Sequence, residues 1–273
     1  MKVGIIGTGG RSLAYLDILR QMQQQTGALC DINRERLDTY RQVHLPDLDP
    51  GRAYLDYHDL LSDPTIDLVL ICTPDTTHRE IALSAAQAGK AMLLEKPVAT
   101  TPSDVMAVYE GLKNYTRPVF LGFVLRYAPF YRQIKAMVQS GILGGIVTIR
   151  AQEMLDTRHA SSFFRRWHRF STNNGGLMNA KCCHDLDILN WLLEGEPVAV
   201  SAFGGNRVFV PWLMRPVAVV TAPCAAAAFM YSMKTIIRPI LDHSMLCQTC
   251  VSIIVKKTLL IMSVCCCNMQ MEL

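Results

Sequence analysis

The chain has 273 residues, with 27 Lys and Arg against 23 Asp and Glu and a formal charge of +4; half of its residues are apolar and only 18% are charged. That composition excludes a long disordered or collagen-like protein, and the charge is too small to argue for nucleic acid or an anionic membrane surface. The length suits one or two domains of about 100–200 residues. Residues 2–6 (Lys-Val-Gly-Ile-Ile) form a short apolar run ending at Gly7, the pattern of a buried strand. A helix is predicted over 11–24, a strand over 27–30 ending at Asp31, and a charged helix over 34–43. Ile66 to Cys72 is apolar almost throughout, as strands covered on both faces are. A helix over 76–88 closed by Gly89, a strand over 91–94, a helix over 102–112 and a strand over 119–121 complete the series. Strands alternating with helices imply a doubly wound parallel sheet.

After Gly122 the rhythm changes. A helix is predicted over 127–140, a half-exposed strand over 146–153, a polar Arg-rich stretch over 156–174, a helix over 184–193 and a strand over 198–203. The fold class is therefore α/β: a Rossmann domain over 1–122, then an incomplete α+β domain over 123–210.

Gly7-Thr8-Gly9-Gly10-Arg11-Ser12 stands between the first strand and the first helix. In G-x-G-x-x-G the first glycine makes the turn, the second lets the backbone approach a pyrophosphate, and the third allows close helix packing; here Ser12 takes the third place. The anion sits on free N–H groups at the helix N-terminus. Asp31, at the end of the next strand, can accept both ribose hydroxyls, which favours NAD; Arg34 and Arg36 nearby leave NADP open. Thr73-Pro74-Asp75-Thr76-Thr77-His78 ends a strand at the edge where such sheets bind ligands, with Thr73, Pro74 and His78 expected to shape the cofactor floor. Asp75 or Thr76 can equally cap the helix that follows. Glu95-Lys96-Pro97 ends the next strand in the same crevice, where Lys96 can stabilise a developing alkoxide or stand in a plain surface ion pair.

The run G-T-G-G near residue 7, C-T-P-D-T-T-H at 72–78, A-G-K at 88–90, E-K-P at 95–97 and G-F-V-L-R-Y at 122–127 resembles the glucose–fructose oxidoreductase / inositol dehydrogenase family (Gfo/Idh/MocA), from residue 2 to about 206. The resemblance implies a nicotinamide cofactor on the first domain and a sugar, cyclitol or similar polyol on the second. It places Lys96, Glu95 and the Gly7–Ser12 loop at the catalytic and cofactor sites, and implies a homo-oligomer if the second domain is complete. Many members carry an aspartate four residues before a histidine proposed as base; here position 180 is Ala. Lys181, three residues before His184, resembles a subgroup reading K-x-x-H-D. His184 titrates in the range a base needs, or is a helix-entry histidine. Arg126, Tyr127, Trp167 and His168 are candidate substrate contacts, the last two within Phe163–Arg169, which can equally be a solvated surface or a subunit contact. Two other activities stay open within the family: an NAD-dependent glycoside hydrolase and a non-catalytic nucleotide binder.

Residues 211–273 hold six of the ten Cys, seven of the fourteen Met and none of the seventeen Gly. At the upstream frequency they should hold about five Gly, so a shifted reading frame, an alternative exon or a gene-prediction error is expected there, with a segment that is disordered or lies outside the fold. Without that tail the charge is +1. Cys247-x-x-Cys250 has no second pair at a useful spacing, so no metal site is expected. No signal peptide precedes Gly7, Pro223 interrupts the uncharged run 216–233, and Cys30, Cys72, Cys182 and Cys183 form no C-x-x-C pair. A cytoplasmic protein without a membrane span is therefore expected.

Overall fold

The computed structural model describes residues 1–165, 167–195, 197, 199–203, 247–255 and 258–266. In chain order the elements are β1 (Lys2–Ile6), α1 (Gly10–Gln21), β2 (Gln25–Cys30), α2 (Arg34–His44), β3 (Ala53–Tyr54), α3 (Tyr57–Ser62), β4 (Leu68–Ile71), α4 (His78–Gln87), β5 (Ala91–Leu94), α5 (Pro102–Leu112) and β6 (Val119–Leu121). There follow α6 (Pro129–Gln139), β7 (Thr148–Leu155), α7 (Thr157–Arg165), α8 (Ser171–Asn174), α9 (Leu177–Ala180), α10 (Cys183–Leu193), β8 (Ala199–Phe203), β9 (Cys247–Val255) and β10 (Thr258–Cys266). The chain divides into two compact units, one of residues 1–125 and 170–184, the other of 126–169 and 185–273.

In the first unit all strands run parallel in the order β3-β2-β1-β4-β5-β6. The strands are apolar on both sides because both sides are covered. Val3, Ile5, Leu29 and Leu70 pack with Leu16 and Leu19 of α1 and Leu37 and Tyr40 of α2. Their neighbours Ile6, Ala28, Cys30, Val69 and Ile71 face the opposite way, onto Leu60 and Leu61 of α3 and Ile81, Ala82 and Ala85 of α4. Each such Leu or Ile contributes about 1.5–3 kcal/mol on burial. Strand order reverses between β1 and β4, which opens a crevice at their carboxyl ends. The chain crosses that crevice after β1, β2, β4, β5 and β6, so the residues after each strand meet there. Side chains of Asn33, Asp56 and Thr101 cap α2, α3 and α5, while α1 begins at Gly9 with no side-chain cap.

In the second unit the strand order is β7-β10-β9-β8, with β10 parallel to β7 and antiparallel to β9, and β8 antiparallel to β9. Lys135 of α6 is buried and donates to the Trp191 carbonyl and the Glu194 carboxylate of the α10 segment, 2.6 Å each, with its Nζ 5.5 Å from the Trp191 ring. The structure differs from the sequence expectation in two places. Residues 170–184 join the first unit rather than the second. Residues 247–255 and 258–266, inside the compositionally odd tail, form two long strands that continue the second sheet; Val198, 204–246 and 267–273 lie outside the described residues. Among the described residues no helix is long and apolar enough to cross a membrane.

Candidate functional site

The loop after β1 is shaped by a single strained position. Gly7 has φ +94°, and a Cβ there would lie 2.7 Å from the Cys72 carbonyl oxygen and 2.9 Å from the Thr73 amide. Only glycine lets β1 turn this close to the end of β4. Gly9 and Gly10 are the reverse case: a Cβ at either would meet nothing within 4 Å. The uncapped first N–H groups of α1 therefore face open space, as a bound anion requires. Ser12 is fully buried and its hydroxyl donates to the Gly9 carbonyl at 2.7 Å and the Tyr40 hydroxyl at 3.2 Å, so the third loop position carries a serine that closes the turn.

Asp31, 6% exposed, accepts from the Thr8 amide (2.9 Å) and hydroxyl (2.8 Å), the Asn33 amide (2.9 Å), and Arg36 Nε (3.0 Å) and Nη2 (2.6 Å). Burial opposes its ionisation, but the Arg36 fork and the Asn33 and Thr8 donors outweigh it and hold the carboxyl below its ordinary range. Arg36, not Arg34, is the cation at this end: Arg34 reaches Asp38 at 3.9 Å on the helix surface. Helical geometry explains the difference, since residue 36 turns back over the strand end while 34 points along the exposed face. An open hollow of about 360 Å³, lined by Thr8, Asn33, Arg36, Thr39 and Tyr40 among others, adjoins this acid.

At the end of β5, Glu95 is buried and accepts from Arg11 Nε at 2.6 Å, from the Tyr15 hydroxyl and from the Lys96 amide at 3.2 Å. Burial and then the hydrogen bond to Glu95 raise the Tyr15 phenol above its ordinary value. Arg11 and Tyr15, one helical turn apart on α1, thus tie the glycine loop to the E-K-P segment. Lys96 Nζ donates to the Ala180 carbonyl at 2.6 Å. Position 180, where the resemblance leads one to expect a carboxylate, holds Lys96 through its backbone instead. Asn179 supports the same loop, its Nδ2 donating to the Ala99 carbonyl at 2.9 Å, and Gly175 (φ +71°) lets it pass, since a Cβ there would lie 2.4 Å from the Thr100 oxygen. Lys181 is buried at the end of α9, and the His184 ring meets Phe123 edge-on at 6.0 Å.

His78 lies deeper than expected. It is 1% exposed, with Nδ1 2.7 Å from the Pro97 oxygen and Nε2 3.0 Å from the Thr73 oxygen. Burial holds its pKa below the ordinary value against the pull of the two carbonyls. With a main-chain carbonyl facing each ring nitrogen it has no face for a cofactor; it braces the ends of β4 and β5. Burial pushes the Cys72 thiol up to about 12, and the Cys30 thiol likewise, so neither is a nucleophile.

The structure thus gathers Gly7, Thr8, Gly9, Gly10, Arg11, Ser12, Asp31, Thr73, Pro74, Glu95, Lys96, Lys181 and His184 in the first unit. Arg126, Tyr127, Trp167 and His168 belong to the second. There Arg126 is engaged by Asp187, donating from Nε at 2.7 Å and Nη2 at 2.5 Å, which ties it to α10 rather than leaving it open to a ligand. Trp167 stacks on His168 with ring centroids 3.7 Å apart, and His168 meets Phe163 edge-on; Arg166 between these residues lies outside the described residues. Tyr127 is exposed.

Two family models match the chain, "Oxidoreductase family, NAD-binding Rossmann fold" over residues 1–123 and "GFO/IDH/MocA C-terminal domain" over residues 131–229. The second match runs past residue 211, where the composition breaks. The chain is 26% identical over 209 residues to myo-inositol 2-dehydrogenase of Thermotoga maritima, covering 76% of this chain and 59% of that protein. It is 29% identical over 214 residues to inositol 2-dehydrogenase of Paracoccus denitrificans, covering 77% of this chain and 58% of that protein. The chain spans less than two thirds of the length of these curated relatives. Its fold is similar to that of scyllo-inositol dehydrogenase from Lactobacillus casei with bound cofactor NAD(H) and scyllo-inositol, with a TM-score of 0.74 at 21% identity over 97% of this chain and 69% of that chain.

Proposed function

The chain belongs to the Gfo/Idh/MocA oxidoreductase family, and from that membership we propose that it transfers hydride between a nicotinamide cofactor and a cyclitol, sugar or related polyol. The observation that carries this reading is the convergence, at one end of one parallel sheet, of an open anion cradle at Gly9–Gly10, a buried acid at Asp31 and a lysine held by the chain at Lys96. These residues fit a dinucleotide: the α1 N-terminus would take the pyrophosphate and Asp31 the adenosine ribose. When bound, the nicotinamide would supply the hydride acceptor.

The chain's own part is positional and electrostatic. Lys96, aimed by the Ala180 carbonyl, donates to the reacting oxygen and stabilises negative charge that develops on it. His184, at the start of α10, receives the hydroxyl proton. Arg11, Glu95 and Tyr15 hold the lysine loop against the glycine loop, so cofactor and substrate sites keep one geometry. Asp31 is already fully donated to, and Arg36, half exposed, must move aside for ribose hydroxyls to reach it. NAD is the proposed cofactor, with Arg36 able to meet the extra phosphate of NADP. Residues 1–122 are the proposed nucleotide-binding domain and 123–210 the proposed substrate and oligomerisation domain of a cytoplasmic enzyme.

Incubating the purified chain with NAD or NADP and a panel of cyclitols and free sugars tests this directly. Reduced cofactor accumulates, at a rate that depends on the polyol, if the proposal holds. Cleavage of a glycoside without net reduced cofactor marks a hydrolase instead, and cofactor binding without any turnover marks a binder.

A further inference from the structure

Lys96 is only as well placed as the carbonyl it leans on. That carbonyl belongs to Ala180, the last residue of α9, and α9 is a single helical turn. A turn this short does not hold itself in place, since isolated helices below about 12–15 residues are marginal even in favourable sequences. Tertiary contacts must therefore fix where the Ala180 oxygen lies.

Those contacts converge on Asn179, whose own carbonyl is joined to Ala180 by one peptide bond. Its Nδ2 has two N–H donors, and both are spent on main chain: one on the Ala99 carbonyl at 2.9 Å, the other on the Asn174 carbonyl at 2.9 Å. Ala99 lies in the loop after β5 that also carries Lys96, so this side chain joins α9 to a segment 80 residues away. The crossing is reciprocal. Lys96 reaches from the loop to the α9 backbone at position 180, and Asn179 reaches from α9 to the loop backbone at position 99. The second partner is itself fixed: Asn174 is 1% exposed, and its Oδ1 accepts from the Gly176 amide at 2.8 Å. The amide also fits a slot that glycine leaves for it, since a Cβ on Gly175 would stand 2.7 Å from Asn179 Nδ2. An apolar side chain could fill that slot, but it would leave both carbonyls without this donor.

We propose that Asn179 is a positioning residue for Lys96. By bonding the Ala99 and Asn174 carbonyls it fixes the Ala180 carbonyl, which takes one N–H of the Lys96 ammonium and aims another at the reacting oxygen. This rests on the proposed role of Lys96.

The test has two arms on the full chain. In the first, 15N–1H NMR of the lysine ammonium groups, without cofactor, follows the resonance that Lys96→Met removes. Asn179→Ala makes its protons exchange with water roughly tenfold faster, because the carbonyl that protects them is no longer held; an unchanged exchange rate overturns the proposal. In the second, Asn179→Ala lowers kcat by roughly tenfold to a hundredfold, as displacing a reacting group by about 1 Å does. The NAD dissociation constant stays unchanged, and Asn179→Gln, which keeps both donors, restores part of kcat. A wild-type kcat in Asn179→Ala, or a parallel loss of NAD affinity that marks a general structural role, overturns the proposal. Should Asn179→Ala not fold, Asn179→Ser, whose hydroxyl can serve only one of the two carbonyls, replaces it in both arms. A chain that turns over no polyol removes the proposed function, while the first arm still decides whether Asn179 holds Lys96.

Discussion

Gly7 and Gly9 stand two residues apart in one loop, yet the structure assigns them different work, and alanine at each separates folding from cofactor binding. At Gly7 the backbone is left-handed at φ +94°, which costs a side chain about 1–2 kcal/mol. The added Cβ would also press on backbone atoms of Cys72 and Thr73 at 2.7–2.9 Å, where nothing flexible can yield. Overpacking of that kind costs about 1–3 kcal/mol, so Gly7→Ala should lose about 2–5 kcal/mol, a large part of a typical domain's stability. At Gly9, φ is −83° and the new methyl meets nothing. Its reduced unfolded-state entropy roughly offsets the weaker N-cap, so Gly9→Ala should stay within about 1 kcal/mol of wild type. The methyl does stand where a pyrophosphate must approach, so NAD affinity should fall tenfold or more. Urea denaturation and calorimetric NAD titration of both variants read these effects. Wild-type stability in Gly7→Ala, or wild-type NAD affinity in Gly9→Ala, would refute the reasoning.

Lys96→Met should abolish turnover of any accepted polyol while leaving the NAD dissociation constant within about threefold, because Lys96 touches the reacting oxygen and not the pyrophosphate; residual turnover near wild type would show otherwise. Arg36→Ala should leave NAD affinity nearly unchanged and weaken NADP tenfold or more, read by titration of both cofactors. The folded chain binds a proton at His78 less readily than the unfolded chain, so this group takes away stability as pH falls below its ordinary 6.5. Asp31, also depressed, adds a loss below the ordinary 3.8, whereas Asp75 acts in reverse and costs stability as pH rises from 3.8 to about 7. Urea midpoints across pH 4–8 should accordingly show a shallower acid loss in His78→Asn, which is itself less stable at pH 8 by about 1–3 kcal/mol through its lost brace. In Asp75→Asn they should show a gain that grows as pH rises from about 4 and levels off above about 7.

The doubly wound sheet was legible because β1, β4 and β5 are apolar on both faces and each ends in a turn. β3 was not: two residues, Ala53 and Tyr54, carry no periodicity. At the site, sequence order placed Asp31, Lys96 and the glycine loop at strand ends, since that follows from topology alone. Contacts between distant positions were not legible. His78 looked like cofactor floor, but its partner Pro97 lies 19 residues away. Arg126 looked open to substrate, but Asp187 engages it from 61 residues on. The glycine-free tail suggested a segment outside the fold, yet composition says little about strand pairing. Val251-Ser252-Ile253-Ile254-Val255 and Leu259-Leu260-Ile261 are β-branched or aliphatic runs that suit a sheet whatever their cysteine and methionine content. Peptides from 211–273 in the expressed protein, or their absence, bear on the origin of that segment.

Hydride transfer at the Lys96 site is most directly tested by isotope. A polyol that the chain oxidises, deuterated at the reacting carbon, is incubated with NAD, and the reduced cofactor is examined by mass spectrometry. The proposed function predicts one deuterium per reduced cofactor in the wild type and none formed by Lys96→Met. Reduced cofactor without deuterium, or undiminished deuterium transfer in Lys96→Met, would contradict it.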